Sequence, residues 1–398
     1  MKMQFADRVV SLEPAAVYEI LKKTGPGKAI AFAAGNPSPD AFPVDEIGVL
    51  IQQILKEHPV LALQYGPSEG YGPLRQILKD FLAEHFGISN EGNDLVITSG
   101  ATQGIELCAK IFCNDGDTII TENPTFIGSL NSFSSYNLNV VGVDMEFDGI
   151  NLEKLEEALK REKNVRFIYV IPNFQNPTGW TTSLEKRKRI YELAVKYNTL
   201  ILEDDPYGRL RYFGDHIPSI KSFDTENIVL YACSFSKTIS PGLRVGFMHL
   251  ATEYAKKMAI AKQACDVHTP QLNQMVIYEY MKNYGLKNHI SKVRDIYRSK
   301  LQLTFDMLEK HLGDKVSYVK PEGGLYVFCR LPDNIDIREY CEKALDAGVA
   351  VVWGSAFSVD PTEKSQYIRI NFSSPSPEQL VTGISIMGKV LNEMDSTA

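Results

Sequence analysis

The 398-residue sequence predicts an α/β fold: a large domain whose mostly parallel sheet lies between helices, followed by a smaller α+β domain. Three observations carry this. Between residues 90 and 250, short apolar runs rich in β-formers alternate with helical patterns, the rhythm of parallel strands covered on both faces. Toward the C-terminus the rhythm changes to short strands and isolated helices. The length also exceeds what one hydrophobic core comfortably supports.

The elements follow in order. "PAAVYEILKKT" (14–24) reads as a helix, and "GNPSPDAFP" (35–43) is a loop rich in turn formers. Seven strands are expected at 94–98, 117–121, 139–145, 165–171, 199–203, 227–233 and 244–250. Helical patterns such as "TQGIELCAKIF" (102–112) and "LEKRKRIYELAVKYN" (184–198) separate most of them. Only a tight turn joins the last two, so 244–250 should run antiparallel to its neighbour. Residues 252–312 read as helical. "VSYVKPEGGLYVFCRL" (316–331) reads as a strand pair around Gly323 and Gly324; a helix, "VAVVWGSAF" (349–357), "YIRINFS" (367–373) and a last helix follow. The expected division is an N-terminal helix and loop at 1–45, a large domain at 46–285 and a small domain at 286–398.

Composition narrows the function. A net charge of −7 gives no electrostatic reason to expect nucleic acid or an anionic membrane as partner. Cys108, Cys113, Cys233, Cys265, Cys329 and Cys341 are scattered without a C-x-x-C pair, and the seven histidines lack ligand spacing. That pattern suits reduced thiols in a cytoplasmic protein and predicts no metal site. The N-terminus has no apolar signal core, and no apolar run approaches the roughly 20 residues a membrane span needs.

Ligands of open α/β sheets bind beyond the carboxyl ends of the strands, and the polar clusters fall there. "SGATQG" (99–104) leads from a strand into a helix, so the backbone of Ala101 and Thr102 forms either an anion site or an ordinary helix start. Ser234, Ser236 and Arg244 would supply hydroxyls and a planar cation to the same anion; taken singly, each reads first as a loop polar group or a surface cation. Lys237 ends an apolar strand, where partial desolvation would lower its pKa and suit a Schiff-base amine; otherwise it is one more lysine at a strand end. Asp204 in "LEDDPYG" comes straight off a strand and would hold a protonated pyridine nitrogen, or form a turn before Pro206, for which Asp205 is the better candidate. Tyr207 and Asn176 would hydrogen bond a phenolic oxygen, or simply shape turns. Phe126 would stack on a flat ring, or sit in the core. Arg369 lies on an apolar strand, where an unpaired cation is costly; its partner is a ligand carboxylate or a structural salt bridge.

Together these motifs resemble the pyridoxal-phosphate-dependent aminotransferases of fold type I, class I/II. "GNPSPDAFP", "YGPSEGYGPLR" (65–75), "SGATQG", "ENPTF" (122–126), "NPTG" (176–179), "EDDPYG" (203–208), "SFSKTISPGLRVG" (234–246), "KPEGGLYVF" (320–328) and "YIRINFS" occur in family order along nearly the whole chain. The subgroup of 2-aminoadipate, kynurenine and aromatic aminotransferases is the most similar. The resemblance implies pyridoxal 5'-phosphate as cofactor and a two-step transfer of an amino group from an L-amino acid to a 2-oxo acid such as 2-oxoglutarate. It implies that Lys237 binds the cofactor's aldehyde carbon and shuttles a proton, with Asp204 and Tyr207 completing the catalytic set. Asp204 would pair with the pyridinium, and Tyr207 and Asn176 with the ring oxygen. Phe126 would stack on the ring, and Ala101, Thr102, Ser234, Ser236 and Arg244 would hold the phosphate. Gly35, Asn36, Asn176 and Arg369 would bind substrate. Tyr65 would reach the phosphate of a second subunit, so a homodimer with shared sites is implied.

Two departures bear on this. Ala101 stands where relatives often carry serine, and Tyr18 stands where dicarboxylate-specific relatives place an arginine, which favours aromatic or broad substrates. A C–S β-lyase of the same fold is the alternative enzyme. A ligand-sensing module fused to a DNA-binding domain is disfavoured by the acidic balance and by the short stretch before the first motif.

Overall fold

A computed structural model describes residues 4–10, 20 and 29–396. The expected helix at 14–24, including Tyr18, lies outside the described residues except for Ile20. The strands are β1 (Ile30–Ala31), β2 (Asn93–Thr98), β3 (Thr118–Asn123), β4 (Asn139–Glu146), β5 (Gly149–Ile150), β6 (Val165–Val170), β7 (Leu200–Asp204), β8 (Val229–Ser234), β9 (Gly246–Ala251), β10 (Tyr326–Arg330), β11 (Val349–Ala350), β12 (Val352–Trp353) and β13 (Tyr367–Asn371).

The large sheet has the order β2-β9-β8-β7-β6-β3-β4-β5. Strands β4, β3, β6, β7 and β8 are mutually parallel. As expected, β9 is antiparallel to β8, and it is antiparallel to β2 as well. The sheet has eight strands, not seven, because the chain turns back after β4 and adds the two-residue β5. All side chains of β8 and β9 are buried, and β7 is buried beyond its first residue, as their apolar sequences require. Helices cover the sheet, two of them started by side chains: Asn151 accepts from the Lys154 N–H and Ser183 from the Lys186 N–H.

The chain leaves β3 for β4 on one side, then crosses back to place β6 on the other. That reversal opens a crevice at the carboxyl ends of β3 and β6. The helical region expected at 252–312 consists of Thr252–Asp266, Gln271–Tyr284 and Leu286–His311.

The C-terminal part is built on the antiparallel sheet β10-β13-β12, and β1 pairs with β11. The strand pair expected around Gly323 and Gly324 does not form. Ser317 makes a single bridge to Arg330, while β10 pairs with β13. The reason is where the backbone bonds go: Tyr212 and Phe213 donate to the Glu322 carbonyl, and Gly324 donates to that of Leu210. The double-glycine segment is thus drawn against residues 210–213 instead of closing a hairpin. A hydrophobic core containing Phe32, Val96, Phe174, Leu230, Val327 and Leu391 joins both parts.

Candidate active site

The segments after β2, β3, β6, β7 and β8 meet Gly35, Asn36 and β13 around one cavity of about 400 Å³. Gly35, Asn36, Ala101, Thr102, Phe126, Asn176, Asp204, Tyr207, Ser234, Ser236, Lys237, Arg244 and Arg369 all line it. Residues scattered over more than 330 positions therefore converge as the strand ends predicted. Tyr65 lies elsewhere: it is 80% exposed and meets the edge of His268 at 5.9 Å.

At one end of the cavity is an anion cradle. The helix Ala101–Phe112 begins after Gly100, whose φ of 86° belongs to glycine, and no side chain caps its first N–H groups. A Cβ at Gly100 would collide with the Arg244 guanidinium, so the turn and the cation are in contact through the missing side chain. Arg244 donates to the Ser99 carbonyl at 2.8 Å and to Ser236 Oγ at 3.4 Å. Ser234 Oγ donates to Ser236 Oγ at 2.8 Å. Arg244 itself is left-handed, with φ 52°, a conformation that costs on the order of 1 kcal/mol and clusters at functional sites.

Asp204 lies deeper, 3% exposed at the end of β7. Its Oδ2 accepts from the Tyr169 hydroxyl at 2.7 Å, and Ser129 donates to that hydroxyl at 2.8 Å. Its Oδ1 is buried with no partner. Burial, with the charge of Asp205, pushes the Asp204 carboxyl up to about 7 against the Tyr169 hydrogen bond. A cationic donor at Oδ1 is what this carboxylate lacks.

Lys237 Nζ donates to the Gly35 carbonyl at 2.8 Å. Desolvation holds its pKa below the usual lysine value; Tyr326 opposes this, and Arg369 and Arg244 reinforce it. Tyr207 is buried, and desolvation followed by Tyr326 raises its hydroxyl well above the usual tyrosine value.

Arg369 is 3% exposed on β13. It donates to Asn176 Oδ1 at 2.8 Å and to the Ala33 carbonyl at 2.6 Å, and lies 4.4 Å from the Tyr326 ring and 4.6 Å from Phe357. Among the described residues it meets no carboxylate, and its Nε has no partner. The structural salt bridge left open by the sequence is absent there, so the charge is available to an anionic ligand.

Sequence reasoning missed Tyr326, Tyr169 and Glu122. Tyr326 lines the cavity beside Arg369, and a Cβ at Gly35 would meet its hydroxyl. Tyr169 is a fully buried tyrosine in an apolar strand, which reads as core. Glu122 closes β3; it accepts from Ile171 N–H at 3.1 Å and Gln175 Nε2 at 3.2 Å, while its Oε1 has no partner. The "ENPTF" motif contained it, but nothing in the sequence marked it as buried.

Pyridoxal phosphate fits these residues. The uncapped helix start, two hydroxyls and a guanidinium suit a dianionic phosphate, and the orphaned Asp204 oxygen suits a ring N–H. Lys237 supplies an amine in the same cavity. Among the described residues no group of His, Cys, Asp and Glu could hold a metal ion, and no helix is long and apolar enough to cross a membrane.

Comparison with known proteins agrees. The family profile of aminotransferase class I and II matches residues 28–385. Aromatic-amino-acid aminotransferase 1 of Thermococcus litoralis is 36% identical over 393 residues, covering 98% of this chain and 94% of its own length. The 2-aminoadipate transaminase of Thermus thermophilus is 35% identical over 384 residues, covering 96% of this chain and 94% of its own. The crystal structure of Pyrococcus horikoshii kynurenine aminotransferase in complex with PMP superposes with a TM-score of 0.93 at 35% identity, covering 98% of this chain and 97% of that one. The chain belongs to the class I and II aminotransferases, pyridoxal-phosphate-dependent transaminases of fold type I.

Proposed function

We propose that the enzyme transfers the amino group of an aromatic or broad-range L-amino acid to a 2-oxo acid such as 2-oxoglutarate, in two half-reactions at this cavity. The carrying observation is Arg369: a buried guanidinium that meets no carboxylate among the described residues, in the same cavity as Lys237. Its fork binds the α-carboxylate of the amino acid, with Asn176 fixing its orientation and Gly35 and Asn36 forming the flanking wall. When bound, the pyridoxal ring supplies an electron sink for the pair left by the substrate α-proton.

Lys237 would hold the cofactor through its Nζ and, once the substrate amine has taken that place, its free amine would take the proton from the substrate α-carbon and deliver it to the cofactor's aldehyde carbon. Desolvation lowers the Lys237 pKa, which favours the neutral amine that takes the proton. Asp204 Oδ1 would accept the ring N–H, while Tyr169 holds Oδ2 so that the carboxylate cannot turn. Tyr207 and Asn176 would bond the ring oxygen, and Phe126 would cover the ring face. Ala101, Thr102, Ser234, Ser236 and Arg244 would anchor the phosphate.

Among the described residues the cations lining the cavity are Lys237, Arg244 and Arg369, each with a role above. The exposed apolar residues Val44, Val49, Val60, Leu61, Leu63 and Tyr65 support a homodimer in which Tyr65 completes the second subunit's site. We read the enzyme as cytoplasmic and divided at 1–45, 46–285 and 286–398; the pairing of Ile30–Ala31 with Val349–Ala350 supports grouping the described residues before 46 with the small domain.

The test is a panel of amino donors against 2-oxoglutarate. Phenylalanine, tyrosine or kynurenine should exceed 2-aminoadipate in kcat/KM, and the reverse order overturns the donor class. Pyruvate and ammonia released from cystathionine without an acceptor, and no amino exchange, would instead establish a β-lyase.

A further inference from the structure

Beside the cradle lies a polar cluster that touches none of the residues assigned to the ligand except through Ser99. Lys262 sits in the helix Thr252–Asp266 with its side chain fully buried. Its Nζ donates to Asp266 Oδ1 at 2.7 Å, to Asp266 Oδ2 at 2.8 Å and to Gln103 Oε1 at 2.9 Å. Gln103 Nε2 donates to Asp266 Oδ2 at 2.7 Å, which fixes the amide's orientation. Both free ends of the cluster then grip one residue. Gln103 Oε1 accepts the Ser99 N–H at 2.7 Å, and Asp266 Oδ2 accepts from Ser99 Oγ at 3.0 Å. Ser99 Oγ also lies 3.1 Å from Thr269 Oγ1. The remaining polar atom of Ser99, its carbonyl, receives Arg244 Nη2 at 2.8 Å.

The arrangement is a lever. Next to Ser99 stands Gly100, with φ 86°, so the turn at 99–100 that leads into the helix takes its geometry from its partners. Burying the Lys262 cation costs free energy unless its acceptors are in place, so the cluster has essentially one satisfied arrangement. That arrangement fixes Ser99 by its N–H and Oγ, and through its carbonyl it aims the guanidinium of Arg244. We propose that Lys262, Asp266 and Gln103 are positioning residues that preset the phosphate cradle, and so give the site its preference for the phosphorylated over the unphosphorylated cofactor. This rests on the reading of residues 101, 102, 234, 236 and 244 as that cradle.

The experiment measures dissociation constants of pyridoxal phosphate and of pyridoxal for the full chain and its variants, with thermal unfolding of each without cofactor. Gln103→Leu and Lys262→Met should each weaken pyridoxal phosphate by about tenfold or more, as outer partners of a ligand site do, and leave pyridoxal unchanged. Equal weakening of both ligands would show mere structural support and overturn the proposal, as would no change in either. Failure of both variants to fold overturns it too, because the cluster would then serve the fold. Ser236→Ala separates this from the cradle reading. If it weakens pyridoxal phosphate selectively while Gln103→Leu does not, only the positioning role fails. If Ser236→Ala affects both ligands alike, the cradle itself is misassigned.

Discussion

Asp204 and Asp205 are adjacent in the chain, both buried, and placed in opposite circumstances. Asp205 is saturated: its Oδ1 accepts from Asn173 Nδ2 at 2.8 Å and Gly208 N–H at 2.9 Å, and its Oδ2 from the Tyr231 hydroxyl at 2.7 Å. Asn173 in turn accepts from Arg187, whose guanidinium also reaches the carbonyls of Thr182, Pro172, Ile217 and Pro218. Nothing in that network is left for a ligand. Asp204 keeps one oxygen without a partner, and Arg369 across the cavity meets no carboxylate. Two adjacent carboxylates at the end of β7 thus meet different partners, one closing a structural network and one held open. Between these two carboxylates it is the unpartnered oxygen, not burial or charge, that marks the one facing the cavity.

The contrast can be broken by substitution. Asp204→Asn should fold normally and lose on the order of 10²- to 10³-fold in kcat/KM, the size expected when one preorganised electrostatic partner is removed. Asp205→Ala should behave the other way. It strands Asn173, Gly208 N–H and Tyr231, and should lower unfolding free energy by about 3 kcal/mol while the folded fraction keeps its turnover. Urea unfolding and steady-state kinetics on both variants check this; a stability loss in Asp204→Asn with normal turnover would exchange the two roles.

A smaller effect concerns Glu122. Burial pushes its carboxyl up to about 8, against hydrogen bonds from Ile171 and Gln175, with Asp204 adding to the rise and Arg187 opposing it. The folded state therefore binds this proton more tightly than the unfolded one. Its stabilising effect is complete below the ordinary glutamate value and is lost as pH rises through 8. Glu122→Gln stays neutral throughout, so relative to wild type it should gain on the order of 4 kcal/mol in stability between pH 5 and pH 9. A difference between the two proteins that does not vary with pH would contradict a buried, titrating Glu122.

Much of this was legible in the sequence because strand ends are legible. Apolar runs stopping at Asp204, Ser234 and Asn173 placed three loops at one edge of a parallel sheet, and Asp204 was separable from Asp205 by its place on the strand. Hydrogen-bond saturation was not legible, since it depends on Tyr169, Asn173 and Tyr231 approaching from other strands. Gly323 and Gly324 misled for a related reason: a double glycine marks either a hairpin or a close approach, and the partner that decides, residues 210–213, lies over a hundred positions away.

The central claim is that the Asp204, Lys237 and Arg369 cavity is where amino transfer occurs. Borohydride reduction of the yellow holoenzyme followed by peptide mapping tests it most directly. The phosphopyridoxyl group should be found on the peptide containing Lys237 and should vanish in Lys237→Ala along with turnover. A label on a different lysine, or a Lys237→Ala variant with wild-type turnover, would contradict it.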